Sequence, residues 1–174
     1  MTLQRKTPLR AKSALQQKSS LKSKPKSKKE KSKSEAKPKK QPSRSWLVEK
    51  ADNAFSLFIR TRDSQDYQGK AFKCISCQRP LPIEQADCGH FINRQHMSLR
   101  YSELNCHAQC RHCNRFMEGN LQDYRKGLID KIGEKKVLLL EASKYQENKL
   151  NNFELELLAK HYKAETKKFK YQIK

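Results

Sequence analysis

The sequence lacks the features that would direct a chain into or across a membrane. No apolar run approaches the roughly 18 residues needed to cross a bilayer. The first ten residues, MTLQRKTPLR, are basic but no apolar segment follows them, so they do not resemble a secretion signal. We therefore expect a cytoplasmic protein with no membrane partner. In that compartment six cysteines are expected as metal ligands or free thiols rather than as disulfides.

Acidic residues are scarce. The 174 residues include 39 Lys and Arg against 18 Asp and Glu, a formal net charge of +21. Residues 1–44 alone hold 16 of the basic residues and two of the acidic ones, and they carry almost no apolar side chain after Leu21. Such a segment cannot bury enough surface to offset the entropy of ordering it. We predict a disordered, basic N-terminal tail, and nucleic acid is a likelier polyanionic partner than a membrane.

The rest of the chain predicts a leading helix, a domain at residues 45–133 and C-terminal helices at residues 134–174. Apolar residues recur at helical spacing after Ser45, which indicates a helix that is capped by Ser45 and runs to about Arg62. These apolar positions are Leu47, Ala51, Ala54, Phe55 and Phe58. The C-terminal helices could pack onto the domain or form a homodimer.

Short strands separate these helices, so the expected fold class is α+β. The stretch AFKCISCQRPLP predicts a short strand that enters a tight turn and is ended by Pro80 and Pro82. A second strand is expected within ADCGHFINR. A further helix should follow Asn120 as its cap and stop at Gly133.

Four of the six cysteines form two Cys-x2-Cys motifs that are separated by 32 residues. A two-residue spacer lets both sulfurs of one turn face the same ion, and two such turns complete a tetrahedron with Zn–S bonds of about 2.3 Å. A redox pair is disfavoured because neither motif lies in a βαβ pattern. Cys88 and Cys106 could replace a ligand, but are expected to pack as small apolar side chains. The predicted structural zinc ligands are Cys74, Cys77, Cys110 and Cys113.

Between and after these motifs lie Asp87, His90 and Asn114. Carboxylate and amide oxygens suit a Mg²⁺ ion, and a neutral imidazole can take a proton from water. Together they indicate metal-assisted hydrolysis of a phosphodiester. Taken singly, His90 could instead be a structural histidine and Asn114 a turn residue.

The order of these motifs resembles that of the ββα-metal, HNH-type nucleases, especially phage resolvases with a zinc-anchored treble clef. Residues 46–125 more closely resemble the phage recombination family NinG, also called Rap. The matching stretches are AFSLFIRTRD, CISC, DCGHF, LNCHAQCRHCN and GNLQDYR. The resemblance implies a small zinc-bound treble-clef core flanked by helices. It also implies a divalent-metal-dependent endodeoxyribonuclease that cuts branched recombination intermediates, such as Holliday junctions and D-loops, in the host cytoplasm.

The same resemblance assigns roles to individual residues. It implies His90 as general base, with Asp87 and Asn114 on a catalytic Mg²⁺ or Mn²⁺. Asn105 matches the middle Asn of the HNH motif, which orients the base or the loop that carries it. His107 matches a histidine near the family's second cysteine motif.

One position departs from the usual pattern. Many HNH nucleases place a metal-binding Asp or His directly before the base, where this chain has Gly89. Asp87 fits the arrangement of the resolvases instead. If that alignment is wrong, His107 or His112 becomes a rival for the base or for a metal ligand.

Binding to DNA is expected to combine the tail with arginines of the domain, although each could equally be a solvated surface charge. A non-catalytic zinc module that binds DNA or RNA through the tail is the main alternative function, and a zinc-containing adaptor protein is a third. The arginines are Arg94, Arg100, Arg111, Arg115 and Arg125.

Overall fold

The structure is a computed structural model that describes residues 41–173. Most of the predicted disordered tail, residues 1–40, lies outside the described residues, as does Lys174. Within residues 41–173 the fold is a mixture of helices and short antiparallel strands, which confirms the predicted α+β class. No helix in this part of the chain is long and apolar enough to cross a membrane.

The first helix, α1, spans Arg44–Asp63 and buries the face that the apolar spacing predicts. Its N-cap is Ser43 rather than the expected Ser45. Ser43 has an extended backbone, and its side chain accepts a hydrogen bond from the backbone N–H of Trp46 at 3.3 Å. The cap therefore lies two residues earlier, and Ser45 belongs to the first helical turn.

The last helix, α5 (Asn152–Lys168), packs along α1. Asn151 begins it with a capping box, in which its side chain and that of the third helical residue bond each other's backbone N–H groups. In the shared core, the ring of Tyr162 lies 4.8 Å from that of Phe55, centroid to centroid. The C-terminal helix thus packs onto the domain, which was one of the two expected arrangements, and the homodimer stays a prediction.

A two-stranded hairpin follows α1. Strand β1 spans Ala71–Lys73 and pairs antiparallel with β2, Pro80–Pro82. The two prolines were expected to end the first strand, but they form the second. This is possible because β2 has a partner on one side only, and a proline without an N–H is tolerated on such an edge strand. The turn between β1 and β2 carries the first Cys-x2-Cys motif.

A second antiparallel pair joins β3 (Ala86–His90) to β4 (Cys106–Cys110). Side chains alternate between the two faces of a strand, and directly paired residues share a face. His90 therefore shares a face with its partner Cys106, and His107 lies on the opposite face with Gln109. The sequence did not predict β4, all five residues of which are buried.

A π-helical turn, His112–Phe116, follows β4 and leads to helix α3 at Leu121–Ile132. Gly133, with φ of 88°, ends α3 as expected. Asn120 occupies the N-cap position, but its side chain makes no capping bond. Its backbone is left-handed, with φ of 43°, and its amide donates to the Asp123 carboxylate instead.

Apart from two short 3-10 helices at Gln65–Tyr67 and Ile83–Gln85, the remaining helices complete a separate apolar cluster around α3. They are the short α2 (Met97–Arg100), between β3 and β4, and α4 (Glu134–Ser143). The buried residues of this cluster are Ile75, Phe91, Leu99, Tyr124, Leu128, Val137 and Leu140. Because Phe91 follows His90 directly, this cluster also anchors the end of β3.

Candidate metal centre and active site

The structure brings the four predicted zinc ligands together. The sulfurs of Cys74, Cys77, Cys110 and Cys113 all lie within 4.8 Å of one another, and those of Cys77 and Cys110 are 4.0 Å apart. A tetrahedral zinc with bonds of about 2.3 Å needs sulfurs about 3.8 Å apart, so the spacing and the donor type fit a zinc ion. The first pair comes from the β1–β2 turn and the second from the end of β4 and the turn after it. This cluster could therefore tie the two sheets together through a metal.

Backbone N–H groups surround these sulfurs, as expected for metal-bound thiolates. The N–H of Cys110 donates to the sulfur of Cys74 at 3.3 Å, and the N–H of Cys113 donates to the sulfur of Cys110 at 3.4 Å. Although burial raises the pKa of Cys77, hydrogen bonds from Arg79 lower it to about 7. Burial instead raises the pKa of Cys74 to about 12 and that of Cys113 to about 11, so a metal that binds here must displace their protons.

A cleft of about 460 Å³ lies between α1, β3 and the turn after β4. Asp87, His90 and Asn114, the three residues predicted for metal-assisted hydrolysis, all line it. Helix α1 contributes Asp52 and Phe55 to the opposite wall. Residues far apart in the sequence thus share one polar cavity, as the hydrolytic interpretation requires.

The Asp87 carboxylate is held as an anion. Its two oxygens accept hydrogen bonds from the Arg115 guanidinium, both at 2.7 Å, and one oxygen also accepts from the Asn114 side-chain amide at 3.1 Å. Although burial raises the pKa of Asp87, the bonds from Arg115 and Asn114 bring it below the ordinary value. Since Asn114 uses its nitrogen on Asp87, the atom left to bind a cation is its carbonyl oxygen, which has no hydrogen-bond partner within residues 41–173.

His90 is neutral and bonds the main chain through one ring nitrogen. Its Nε2 lies 3.0 Å from the backbone carbonyl oxygen of Arg100. A carbonyl can only accept, so Nε2 carries the proton and Nδ1 keeps the lone pair. Burial lowers the pKa of His90 despite the opposing effects of the Arg100 and Cys88 backbone carbonyls, so the ring is uncharged at neutral pH.

Asn105 is fully buried behind the loop that follows His90. Its side-chain oxygen accepts from the N–H of Ile92 at 2.7 Å, and its nitrogen donates to the carbonyls of Ile92 at 2.9 Å and Leu99 at 3.1 Å. These bonds clamp the loop to α2, whose Arg100 carbonyl holds His90. Contacts of this kind are what the predicted orienting role would need.

The structure does not bring His107 into the cleft. His107 lies on the other face of the β3–β4 pair, buried, with its Nδ1 2.8 Å from the Arg62 guanidinium. Burial lowers the pKa of His107 although the Asp63 carboxylate lies 3.5 Å away. His112 is exposed outside the cleft and stacks on the ring of Phe116. Of the three histidines considered for the base, only His90 lies in the cleft.

Packing explains why Gly89 precedes His90 in place of the Asp or His found in many HNH nucleases. A Cβ built at Gly89 would lie 2.8 Å from the Cβ of Gln109 and closer still to its amide oxygen. Gln109 cannot move aside, because it is fully buried and its amide nitrogen donates to the Ser76 hydroxyl and the Gly119 carbonyl. A metal-binding side chain therefore has no room directly before His90.

Four of the five predicted DNA-binding arginines hold a partner within the protein. Arg94 is exposed and lines the cleft. Whether any of the five contacts DNA stays a prediction. The recorded partners are Asp52 for Arg100, the Glu84 carbonyl for Arg111, Asp87 for Arg115 and Glu141 for Arg125.

A buried carboxylate that the sequence did not single out links α1 to β4. Asp63 accepts a hydrogen bond from the backbone N–H of Ala108 at 2.7 Å and from the ammonium of Lys131 at 2.9 Å. Although burial raises its pKa, the charges of the Arg62 guanidinium and the Lys131 ammonium hold it far below the usual range. Asp63 is the last residue of AFSLFIRTRD, which is one of the stretches that resemble the family, but that stretch alone does not predict a structural role for it.

Comparisons with known proteins agree with the family resemblance. Residues 2–172 match the model of the family described as Bacteriophage Lambda NinG protein. The chain is 38% identical to protein ninG of Escherichia phage lambda over 101 residues, which are 58% of this chain and 46% of that protein. It is 40% identical to protein ninG of Salmonella phage P22 over 91 residues, 52% of this chain and 41% of that protein. The chain thus spans about half the length of these curated relatives, and no solved structure matches it significantly.

Proposed function

The chain belongs to the NinG family of bacteriophage proteins, and from this premise we propose that it is a divalent-metal-dependent endonuclease. Its proposed substrates are branched recombination intermediates such as Holliday junctions and D-loops. The observation that carries the proposal is the single cleft shared by Asp87, His90 and Asn114. In that cleft a neutral imidazole with one free nitrogen lies beside a carboxylate and an amide oxygen.

His90 is the proposed general base. Its free Nδ1 takes a proton from the attacking water, while Nε2 keeps its proton and its bond to the Arg100 carbonyl. That carbonyl stabilises the imidazolium that forms, since its partial negative charge faces the ring nitrogen. The lowered pKa keeps the ring neutral at neutral pH, so that Nδ1 can accept a proton.

Asp87 and Asn114 are the proposed ligands of a catalytic Mg²⁺ or Mn²⁺. When bound, such an ion stabilises the charge that develops on the phosphate and the leaving oxygen. Asp87 can offer a carboxylate oxygen only if Arg115 releases it. The Arg115 side chain is 58% exposed, so it can turn away into solvent or onto a DNA phosphate.

The local fold supports an HNH-type, treble-clef centre. An antiparallel strand pair, β3–β4, is followed by a helical turn, and the four-cysteine cluster joins that turn to the β1–β2 hairpin. Asn114 directly follows the ligand Cys113. A zinc in the cluster would therefore fix the position of Asn114 opposite β3.

A non-catalytic, zinc-containing nucleic-acid-binding module is the second candidate. The observation that favours it is that Arg115 occupies both oxygens of Asp87. A purely structural ion pair would look the same. In that case the tail and exposed residues such as Arg94 would supply phosphate contacts, with no bond broken.

The test is cleavage of a labelled four-way junction and of linear duplex with Mg²⁺ or Mn²⁺. We expect the junction to be cut, and His90→Ala to slow cutting by about 10²–10⁴-fold. Folding, the tightly bound zinc of the four-cysteine cluster and DNA binding of the variant should be unchanged. His112→Ala is the matched control, because it removes an exposed histidine outside the cleft. Binding of the junction without any metal-dependent cutting would favour the second candidate.

A further inference from the structure

A second group of metal-binding side chains lies apart from the four-cysteine cluster. The sulfurs of Cys88 and Cys106 and one ring nitrogen of His90 all lie within 4.8 Å of one another. His90 and Cys106 are direct partners across β3 and β4, and Cys88 lies two residues before His90 on the same face. We propose that these three residues form an inhibitory site for a thiophilic divalent cation such as Zn²⁺. The inhibitory part rests on the proposed role of His90 as base.

The donor set determines which cations this site takes. Two thiolates and one imidazole suit zinc and similar soft ions, whereas Mg²⁺ requires oxygen ligands. Two thiolates also neutralise the charge of a divalent ion, which a partly buried site needs. The site should therefore bind Zn²⁺ but not Mg²⁺.

The position of the three residues gives an ion a route in. Cys88 and His90 line the cleft, whereas Cys106 is fully buried behind them. An ion would therefore enter from the cleft and keep a fourth position open on that side. Cys106 and His90 already share a partner, since the thiol and the ring Nε2 both donate to the carbonyl of Arg100.

This site should bind zinc more weakly than the four-cysteine cluster. It offers three ligands instead of four. Weaker binding is what a reversible inhibitor requires, because the ion can leave when its free concentration falls.

An ion on either ring nitrogen removes the base. A neutral imidazole has one lone pair and one N–H. If the ion binds Nδ1, the lone pair that would take the proton from water is used directly. If it binds Nε2, the ring proton must move to Nδ1, which then has no lone pair. In both cases His90 cannot activate water.

The first test measures binding without any assay of cleavage. Full-length protein that already carries one tightly bound zinc is dialysed against increasing Zn²⁺, and bound metal is measured by elemental analysis. We expect one additional ion per chain. Cys88→Ser and Cys106→Ser should each weaken its binding by at least about 10-fold, because loss of a direct ligand costs no less than loss of an outer-shell contact. His112→Ala should bind it normally.

Two results would overturn the site. One is a wild-type protein that binds no second zinc. The other is a Cys88→Ser variant that binds the second ion as the wild type does. Cys88 is only partly buried, so this variant should fold even if Cys106→Ser does not. Circular dichroism and retention of the first zinc check that each variant is folded.

The second test measures inhibition at saturating Mg²⁺, as the ratio of junction-cutting rates with and without added Zn²⁺ for each variant. We expect zinc to inhibit the wild type at the concentration that fills the second site, and Cys88→Ser to need at least about 10-fold more zinc. A second ion that binds without inhibiting would refute inhibition through His90, and activation by zinc would show a catalytic site instead. A wild type that cuts no junction at all would refute the proposed function and with it the inhibition, while the binding result would still decide the site.

Discussion

We expect Cys110→Ala to unfold most of the folded domain rather than loosen a single turn. Cys110 is the last residue of β4 and is 2% exposed. Its N–H donates to the sulfur of Cys74 in the hairpin, and its own sulfur accepts from the N–H of Cys113. Removing its sulfur leaves three ligands and breaks the link through which a zinc would join the two sheets.

The magnitude follows from the small size of the core around the cluster. Of its seven buried residues only Phe72 and Ile83 are large, and three of the others are themselves zinc ligands. Burying one such large side chain contributes about 1.5–3 kcal/mol. Structural zinc contributes about 10–16 kcal/mol in small zinc domains. Since a whole domain is stable by about 5–15 kcal/mol, loss of the metal should exceed what the apolar contacts can replace.

The assay combines elemental analysis with thermal and urea unfolding followed by circular dichroism. Wild-type protein should hold one tight zinc and unfold cooperatively, and Cys110→Ala should lose both properties. Cys88→Ala is the matched control, since it removes a cysteine from the same sheet but leaves the four-cysteine cluster complete. If Cys110→Ala unfolds cooperatively within about 2 kcal/mol of the wild type, or if soluble wild-type protein contains no zinc, the reasoning is wrong.

Three further predictions concern other parts of the molecule. Gly89→Ala should lower the free energy of unfolding in urea by about 1–3 kcal/mol, because its Cβ meets the immobile Gln109; an unchanged midpoint would contradict this packing. Asp63→Asn should cost about 3 kcal/mol, because it removes a buried carboxylate that pairs with the partly buried Arg62 guanidinium. The folded-state pKa values of His107 and Asp63 are both lowered, so the stability of the wild type should fall as the pH drops below about 6.5 and further below about 3.8. In acid-unfolding curves the loss of stability below about pH 3.8 should be smaller for Asp63→Asn than for the wild type. Deleting residues 1–44 should weaken junction and duplex binding by similar factors and flatten the slope of log K against log salt by roughly 0.9 per lost phosphate contact; loss of junction preference alone would contradict this.

The sequence predicted the four-cysteine cluster because its geometry depends on local spacing. Each Cys-x2-Cys motif brings its two sulfurs together within one turn, and a cation that binds four sulfurs needs two such turns. The structure confirms that cluster. Helix α1 was predicted for a related reason, since its apolar residues recur at helical spacing within one continuous segment. Only its cap was misplaced, because Ser43 and Ser45 are equally suitable capping residues and lie two positions apart.

Strand β4 could not be predicted in the same way. The residues CHAQC show no alternation of polar and apolar side chains, because both faces of this strand are buried. The sequence therefore could not tell which face His107 takes, and it remained a rival to His90. The tertiary contacts decide this point, because His107 lies against Arg62 and Asp63 outside the cleft, whereas His90 lines it.

The proposed base is positioned by contacts that no short motif contains. Residues 74–114 hold every proposed catalytic group. In the structure His90 bonds the carbonyl of Arg100, and the Arg100 guanidinium forms a two-pronged ion pair with Asp52 of α1. Phe55 of the same helix packs near the His90 ring, 6.5 Å between centroids. Since the main-chain carbonyl fixes the tautomer and α1 fixes the residue that bears it, a fragment without α1 would keep the catalytic side chains but lose the orientation of the base.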